Sequence, residues 1–439
     1  MFTPLAAEIV TIGDELCRGE IVDTNSSWLA ERLTRQGFHV RWRSSTVDDD
    51  ADMTAVLQQA ARRARVVVCS GGLGPTDDDR TVDVVAALAG VEPVLDDRHR
   101  ERMVARFAAR NFAVTPNNLR QVRVPAGADV LDNEVGLAPG FHLRFGEADL
   151  FFMPGVPREM KSIFERHVEP RLAAMAVGAP ATARRVWRVA GMGESHVAHR
   201  LRGLLDGIPG TTLHYRIQYP ENLVTVVVRR PTQAEADAVL TTIDADVRQR
   251  LTGAIYGTDE DTLPIVIGQR LLARGETLAT AESCTGGLIG DLLTDVPGSS
   301  QYYLGGVVAY GNQAKRDLLG VREETLTAHG AVSEECVREM AEGVRRRFGT
   351  AWGIGVSGIA GPGGGTPEKP VGLVHFAVAG PSGVEARQLQ WGAERRQIKL
   401  LAASTVLNLL HRLLTPERAV MPEPLESGDR VGKPGKKER

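Results

Sequence analysis

The sequence predicts an α/β protein of about three domains, and three observations support this prediction. Short apolar strands alternate with helices in the first and last thirds of the chain, which is typical of a parallel sheet covered by helices. Polar, glycine-rich segments follow several of these strands. The length of 439 residues fits three domains at ~150 residues each.

Composition narrows the class of protein. The chain has 52 Lys plus Arg against 55 Asp plus Glu, and the net charge of -3 argues against a dedicated nucleic-acid binder. We expect no membrane span, because no run of ~18 apolar residues occurs, and no secretory signal at the N-terminus. Cytoplasmic localisation is expected because the cysteines are too far apart for a CxxC zinc pattern or a disulfide lattice. They are Cys17, Cys69, Cys284 and Cys336.

The first domain has the predicted order β-α-β-α-β. Its strands are expected at 6–12, 38–46 and 65–69, and its helices at 26–36 and 51–64. Asn25 or Ser26 is expected to cap the first helix and Asp50 the second. Consecutive crossovers imply a parallel sheet, and ligands of such sheets bind beyond the carboxyl ends of the strands.

Two polar glycine segments fall at that sheet edge. Gly13–Leu16 follows the first strand, and the segment 70–81 follows the third. Glycines let the backbone approach a phosphate, and the next helix offers its N-terminal N–H groups. Carboxylates beside a phosphate suit a Mg²⁺-type cation. A tight turn with acidic residues in the first helical turn is the structural alternative.

A second polar turn lies in the last third of the chain. Glu282–Gly287 separates a strand predicted at 277–282 from a helix predicted at 288–293. Such a turn exposes the hydroxyl of Ser283 beside helix N-terminal N–H groups, which combines a nucleophile with an oxyanion hole. A serine that only caps the helix is the alternative.

Lys315 is the candidate base for this serine. It follows a strand predicted at 304–310 and lies in the first turn of the next helix, where the helix dipole disfavours a cation. The same field, with burial, lowers the pKa of an amine. No Ser-His-Asp pattern is evident, and His329 is expected to be structural, in a turn before a helix capped by Ser333. A Ser–Lys pair is therefore the economical hypothesis.

A long glycine loop, 358–372, follows the strand predicted at 351–357. With Lys369 nearby, it suits a phosphate or a ribose, although a flexible loop would have the same composition. The other elements predicted beyond residue 185 are strands at 186–191, 223–230, 373–379 and 384–391, and helices at 194–205, 233–251, 263–273 and 394–414.

Several separated motifs, in order along the chain, resemble those of the CinA (competence/damage-inducible protein A) family. They are Gly13–Leu16, Gly71–Thr81, Asn133–Gly140, Pro154–Met160, AESCTGG at 281–287, Tyr310 with Asn312 and Lys315, HGAVS at 329–333, and the glycine loop with EKPVG at 357–372. The resemblance implies four regions. They are a MoaB/MogA-like domain at 1–170, a KH-like linking domain at 171–257, a domain at 258–416 that also occurs alone as nicotinamide mononucleotide amidohydrolase, and a disordered tail at 417–439.

The resemblance implies site residues for the C-terminal domain. Ser283 would be the nucleophile, Lys315 its base, and Tyr310 would assist. Neutral Lys315 would take the proton of Ser283, which would attack the carboxamide of nicotinamide mononucleotide and release ammonia without a metal. The substrate-binding residues would be Thr285, Gly286, Gly287, Gly361, Gly363, Gly364 and Lys369, with Gly286 and Gly287 supplying oxyanion N–H groups. Gly311 stands where the family often has Ser.

For the first domain the resemblance implies hydrolysis of ADP-ribose to AMP and ribose 5-phosphate with a divalent metal, Mg²⁺, Mn²⁺ or Co²⁺. The metal-proximal groups would be Asp14, Glu15, Asp78 and Asp79, and the phosphate-binding glycines would be Gly71, Gly72 and Gly74. The family usually has His where this chain has Asp77.

The sequence leaves other functions open. Gly207–Gly210 fits the GxxG loop with which KH domains clamp RNA, although a spacer or dimerisation role is preferred, and a homodimer is expected. The basic tail leaves a weak polyanion contact open. The rival to a pyridine-nucleotide salvage enzyme is a non-catalytic adaptor in DNA uptake or repair, with a link to the recombinase RecA. A third possibility is a first domain that only binds molybdopterin.

Overall fold

The computed structural model describes residues 5–176 and 180–415, so the predicted disordered tail lies outside the described residues. Contacts divide the described chain into two compact units at residues 183 and 184, except that 229–237 belong with the first unit. The second unit contains most of the middle segment and the C-terminal domain. No helix in the described ranges is long and apolar enough to cross a bilayer.

The first unit contains a six-stranded mixed sheet. The strands of this unit are β1 Ala6–Ile12, β2 His39–Thr46, β3 Val66–Ser70, β4 Pro93–Leu95, β5 Arg123–Pro125, β6 Asp129–Leu131, β7 Gly140–Phe145 and β8 Ala148–Met153. The sheet order is β2-β1-β3-β8-β7-β6, and β4 and β5 form a separate ribbon. The predicted parallel arrangement is confirmed for β2, β1, β3 and β8, whereas β7 and β6 extend it antiparallel.

The helices of this unit cover both faces of the sheet. They are α1 Asp14–Cys17, α2 Thr24–Arg35, α3 Asp50–Arg63, α4 Thr81–Ala89, α5 Asp97–Ala108, α6 Pro116–Arg120, α7 Pro157–Ile163 and α8 Glu169–Met175. Two predicted caps were wrong. Asp23 caps α2 and Asp49 caps α3, each through a side-chain oxygen that accepts a backbone N–H. Asn25 is thereby free to reach elsewhere.

The middle segment is α+β, as predicted. Its strands are β9 Ala181–Val189, β10 Thr211–Gln218, β11 Glu221–Arg230 and β12 Ile255–Thr258, and its helices are α9 Glu194–Arg200 and α10 Gln233–Arg250. The sheet order is β10-β11-β9-β12. Strand β10 was not predicted, because most of its outward-facing residues are polar and its alternating pattern is therefore weak. The predicted GxxG segment is the turn that leads into β10.

The C-terminal domain has a five-stranded sheet in the order β14-β13-β15-β16-β17. The strands are β13 Leu278–Glu282, β14 Tyr303–Val308, β15 Trp352–Gly358, β16 Leu373–Gly380 and β17 Gly383–Gln390. The first three are parallel, and β16 and β17 add an antiparallel edge. The helices are α11 Leu263–Arg274, α12 Leu288–Thr294, α13 Asn312–Leu319, α14 Glu323–His329, α15 Glu334–Phe348 and α16 Arg395–Leu413.

Candidate functional site

The register of three parallel strands places the Ser283 turn. Glu282, the last residue of β13, pairs with Val308 in β14 and with Val356 in β15. The sheet hydrogen bonds continue past this pair, because Ser283 N–H donates to Val356 O (2.9 Å) and Ala309 N–H donates to Glu282 O (2.8 Å). The first residues after β13 and β14 are therefore held side by side at the carboxyl edge of the sheet.

Lys315 lies beside Ser283, as the Ser–Lys hypothesis requires. Its Nζ is 3.2 Å from Ser283 Oγ, 2.8 Å from the carbonyl oxygen of Ala309 and 3.4 Å from that of Tyr310. Lys315 is 1% exposed and Ser283 is 8% exposed. The two side chains, 32 positions apart in the chain, thus share one nearly dry site.

Three oxygens surround the Lys315 amine: Nζ donates to two carbonyl oxygens and to the Ser283 hydroxyl. A neutral amine would keep the two carbonyl contacts, and its lone pair would accept the Ser283 O–H instead. Burial lowers the pKa of Lys315 from its ordinary value. Among the described residues, no carboxylate pairs with this lysine, so no ion pair holds its third proton.

The neighbouring thiols are poor nucleophiles. Burial raises the pKa of Cys284 to about 12 and that of Cys336 to about 11. A thiol reacts as its thiolate, and near neutral pH both cysteines are protonated. Of the adjacent side chains Ser283 and Cys284, Ser283 is therefore the candidate nucleophile, because it contacts the candidate base Lys315.

Glu282, which the sequence analysis did not single out, holds the turn. Its buried carboxylate accepts the N–H groups of Gly287 (2.9 Å), Ile289 (3.1 Å) and Gly290 (2.9 Å) at the start of α12. A single side chain thus satisfies three of the otherwise unpaired donors of a helix N-terminus.

The predicted oxyanion donors need correction. Gly287 N–H is bound to Glu282, and Gly286 N–H donates to Ser283 O (3.1 Å), so neither amide is available to a substrate. The N–H of Thr285 makes no hydrogen bond within the described part of the chain. Its hydroxyl, fully buried, also lacks a partner there. Of Thr285, Gly286 and Gly287, Thr285 alone therefore keeps an unpaired N–H within the described part of the chain.

Cations from the start of α16 border the turn. Arg395 donates to Gly361 O (2.7 Å) and to the hydroxyl of Tyr310 (3.0 Å). Lys399 Nζ lies 3.6 Å from the point where a Cβ on Gly286 would stand. Neither cation has a carboxylate partner among the described residues. Neither cation was predicted from the sequence, because α16 begins 80 residues after Lys315.

Lys369, Tyr310 and the glycine loop do not make the contacts that the sequence predicts. Lys369 Nζ donates to the carbonyl oxygens of His329 (2.6 Å) and Val332 (2.7 Å), so it fixes a turn. The Tyr310 phenol is exposed and contacts Arg395, while the backbone carbonyl of Tyr310 faces Lys315. In the glycine loop Gly361 is tied to Arg395, and Gly363 and Gly364 are exposed.

The first domain has a glycine turn at the corresponding edge of its own sheet. Gly71 follows β3 with φ +121°, and a Cβ there would stand 2.0 Å from Ile12 O, so only glycine fits. Asn25 crosses from α2 and donates to Ser70 Oγ (3.1 Å) and Gly155 O (2.7 Å). The Asn25 side-chain oxygen is buried and has no partner in the described ranges.

The predicted metal ligands do not fit a divalent ion as a set. Asp79 accepts Gly74 N–H (2.7 Å) and Thr76 N–H (2.8 Å), so Asp79 and Gly74 stabilise the loop. Asp14 accepts Asp48 N–H (3.1 Å) and pairs with Arg18. Asp78 is exposed. In the described ranges, no three His, Cys, Asp or Glu side chains are grouped as metal ligands.

A cluster of negative charge nevertheless surrounds Asp48. Burial and the nearby carboxylates of Asp14, Glu15 and Asp78 raise the pKa of Asp48. Asp77, at the position of the family's usual His, pairs with Arg120 (2.6 Å). This edge of the sheet thus carries exposed and half-buried carboxylates, most of them engaged by the protein.

Comparison with known proteins covers nearly the whole chain. Three family models match: "Probable molybdopterin binding domain" at residues 8–174, "Damage-inducible protein CinA KH domain" at 184–257 and "CinA C-terminal domain" at 260–414. A CinA-like protein of Anaeromyxobacter sp. (strain Fw109-5) is 44% identical over 94% of this chain and 100% of its own length. A CinA-like protein of Myxococcus xanthus is 41% identical over 94% of this chain and 99% of its own.

Among solved structures, the competence/damage-inducible protein CihA of Agrobacterium tumefaciens is 43% identical. The match covers 35% of this chain and 96% of the CihA chain, with a TM-score of 0.33. The full-length relatives and the three successive domain matches agree with the architecture described above. The chain therefore belongs to the CinA family.

Proposed function

We propose that the C-terminal domain is an amidase that converts nicotinamide mononucleotide to nicotinic acid mononucleotide and ammonia. The observation that carries the proposal is the contact between Ser283 Oγ and a buried Lys315 whose other two neighbours are carbonyl oxygens. A neutral amine in that position is a general base for a serine nucleophile.

The reaction follows from these contacts. Lys315 Nζ takes the proton of Ser283 as Oγ bonds to the carboxamide carbon. The Thr285 N–H is the free donor that could hold the negative oxygen. Lys315 then returns the proton to the leaving nitrogen, which departs as ammonia and leaves an ester on Ser283. A water molecule, deprotonated by Lys315, cleaves the ester and releases the carboxylic acid.

The charges at the rim support a phosphorylated substrate. Arg395 and Lys399 approach the Ser283 turn from one face of α16, and both lack carboxylate partners among the described residues. A phosphate monoester would pair with these cations while its amide end reaches Ser283. This geometry favours a nucleotide amide over an uncharged amide.

The test is ammonia release from nicotinamide mononucleotide by the full chain. Ser283→Ala should lower kcat by at least ~10³-fold, because it removes the atom that forms the ester. The matched control is the adjacent Cys284→Ala, which should keep most of the activity, since that thiol is buried and protonated. If Ser283→Ala keeps wild-type kcat, the nucleophile is wrong. If the wild type releases no ammonia and binds no nucleotide, the adaptor hypothesis is favoured.

A second candidate activity belongs to the first domain, where we propose hydrolysis of ADP-ribose to AMP and ribose 5-phosphate. The supporting observation is the Gly71 turn with the unpartnered Asn25 oxygen beside it, a site suited to a phosphate and a sugar hydroxyl. The described residues do not form a metal-ligand set, so the choice of cation is left to the assay.

AMP release should be measured on the full chain, with and without Mg²⁺, Mn²⁺ and Co²⁺. Asn25→Asp should abolish it, because a carboxylate would repel the phosphates, while Asn117→Asp, at an exposed position of helix α6, should not. No AMP with any of these ions would end the proposal, and pterin binding without turnover would favour a molybdopterin binder. The expected homodimer, the RecA link and the cytoplasmic location stay predictions.

A further inference from the structure

A second cavity, of about 300 Å³, lies in the second unit between the middle segment and the C-terminal sheet. Its walls come from the segment after β9, the turn before β12, the strands β16 and β17, and the second half of α16. Lys399 and Arg412 are 13 residues apart on α16, which is ~20 Å at 1.5 Å per residue. The cavity is therefore distinct from the Ser283 site.

One side of the cavity is apolar. Met192, Phe376, Leu389 and Leu409 line it, and the apolar lining exceeds the polar lining. The volume is that of the smaller ligand sites, which typically combine apolar walls with a few polar groups that orient the ligand. A ligand with one ring fits within this volume, since a cavity of about 150 Å³ is enough for benzene.

The other side carries two cations and one nearby acid. The Arg412 side chain is half-buried and makes no hydrogen bond or salt bridge within the described residues, whereas Arg387 on the facing strand pairs with Glu385. Burial and the repulsion of Arg387 lower the pKa of Arg412, and the charge of Glu385 opposes this shift, so the guanidinium stays charged at neutral pH. The two cations share one acid, and a bound anion would balance the remaining positive charge.

Uncharged polar groups lie next to Arg412. Thr405 and Asn408 stand on the same face of α16, seven and four positions before it. Their side chains make no hydrogen bond among the described residues. They can donate to an anion that Arg412 neutralises.

We infer that this cavity binds a small amphipathic anion, a carboxylate or phosphate attached to a single ring or a short apolar chain, with the anionic group on Arg412 and the apolar part against Phe376 and Leu409. The site is separate from the proposed amidase and does not depend on it. It would make the junction of the middle and C-terminal domains sensitive to such anions.

The test uses benzoate and its uncharged analogue benzamide as probes, titrated calorimetrically into the full chain. Benzoate should bind at millimolar concentration, once per chain, and benzamide at least tenfold more weakly. Arg412→Gln should weaken benzoate at least tenfold, since it removes a charge-assisted hydrogen bond, and Arg412→Lys should restore part of the affinity. Arg110→Gln, which removes an exposed charge in the first unit, should change nothing.

Three outcomes would overturn the inference. They are no benzoate binding to the wild type, equal binding of benzamide, and benzoate binding that survives Arg412→Gln but is lost in Arg395→Gln. The last result would place the probe at the Ser283 site. Ammonia release by Arg412→Gln should equal that of the wild type, which separates this test from that of the amidase.

Discussion

The carboxyl edges of the two parallel sheets carry similar polar glycine turns, but they treat their charged groups in opposite ways. In the C-terminal domain a single amine is buried among two carbonyl oxygens and one hydroxyl, and it has no carboxylate partner among the described residues. In the first domain several carboxylates lie near solvent, and Asp14, Asp77 and Asp79 are occupied by protein partners. Burial with matched partners tunes a reactive group, whereas exposed clusters mainly organise loops.

The largest effect should come from replacing the base with a cation that cannot deprotonate. Lys315→Arg should lower kcat for ammonia release by ~10³-fold, because a guanidinium stays protonated and cannot accept the serine proton. Discontinuous assays of released ammonia would measure this decrease in kcat. Lys369→Arg is the control, since its amine only donates to backbone carbonyls. Equal activities of the two variants would remove the contrast between the tuned amine and an ordinary one.

The next effect should come from the carboxylate that holds the turn. Glu282→Gln should lower kcat by ~10²-fold and the free energy of unfolding by about 3 kcal/mol, because one amide oxygen cannot satisfy three buried N–H groups and its own N–H₂ would face them. Urea titrations and ammonia assays would measure both. Glu335→Gln, at a half-exposed ion pair with His329, is the control. An unchanged kcat would mean that the turn geometry does not govern reactivity.

The pH dependence should show the lowered pKa of Lys315. The kcat/KM for ammonia release should rise about tenfold per pH unit up to an apparent pKa below 10.5, the ordinary value for lysine. The folded chain releases this proton at a lower pH than the unfolded chain, so the unfolded state binds more protons between the two pKa values. Within that window the free energy of unfolding should therefore rise with pH. A pH-independent rate would contradict a neutral amine base.

The smallest effect is expected at the exposed cluster. Asp79→Asn should weaken ADP-ribose binding by ~10-fold, because Asp79 organises the loop 74–76 through two backbone N–H groups. Asp78→Asn, at an exposed neighbour, should change it less than twofold. Isothermal titration calorimetry would compare the affinities of the two variants for ADP-ribose. If Asp78→Asn were the more damaging change, the carboxylates would act on the ligand directly.

Local patterns predicted much of the fold and the central pair of the site. Ser283 and Lys315 were predictable together because each follows a parallel strand, and neighbouring parallel strands end at one sheet edge. The sequence alone could not predict that Glu282 takes the Gly287 amide assigned to the oxyanion, that Lys369 fixes a turn, or that Arg395 reaches the site. The first role depends on the local geometry of the turn, and the other two depend on hydrogen bonds between segments far apart in sequence.

The hydrogen bonds that extend the sheet past β13 also bear on how the protein fails under stress. The hydrogen bonds of Ala309 N–H and Ser283 N–H hold the segments that lead to Lys315 and Ser283 beside the neighbouring strands. We therefore expect the proposed amidase activity to depend on the central ladder of the C-terminal domain. On heating, activity should disappear in the same transition as the sheet signal in circular dichroism, without an earlier inactive but folded stage.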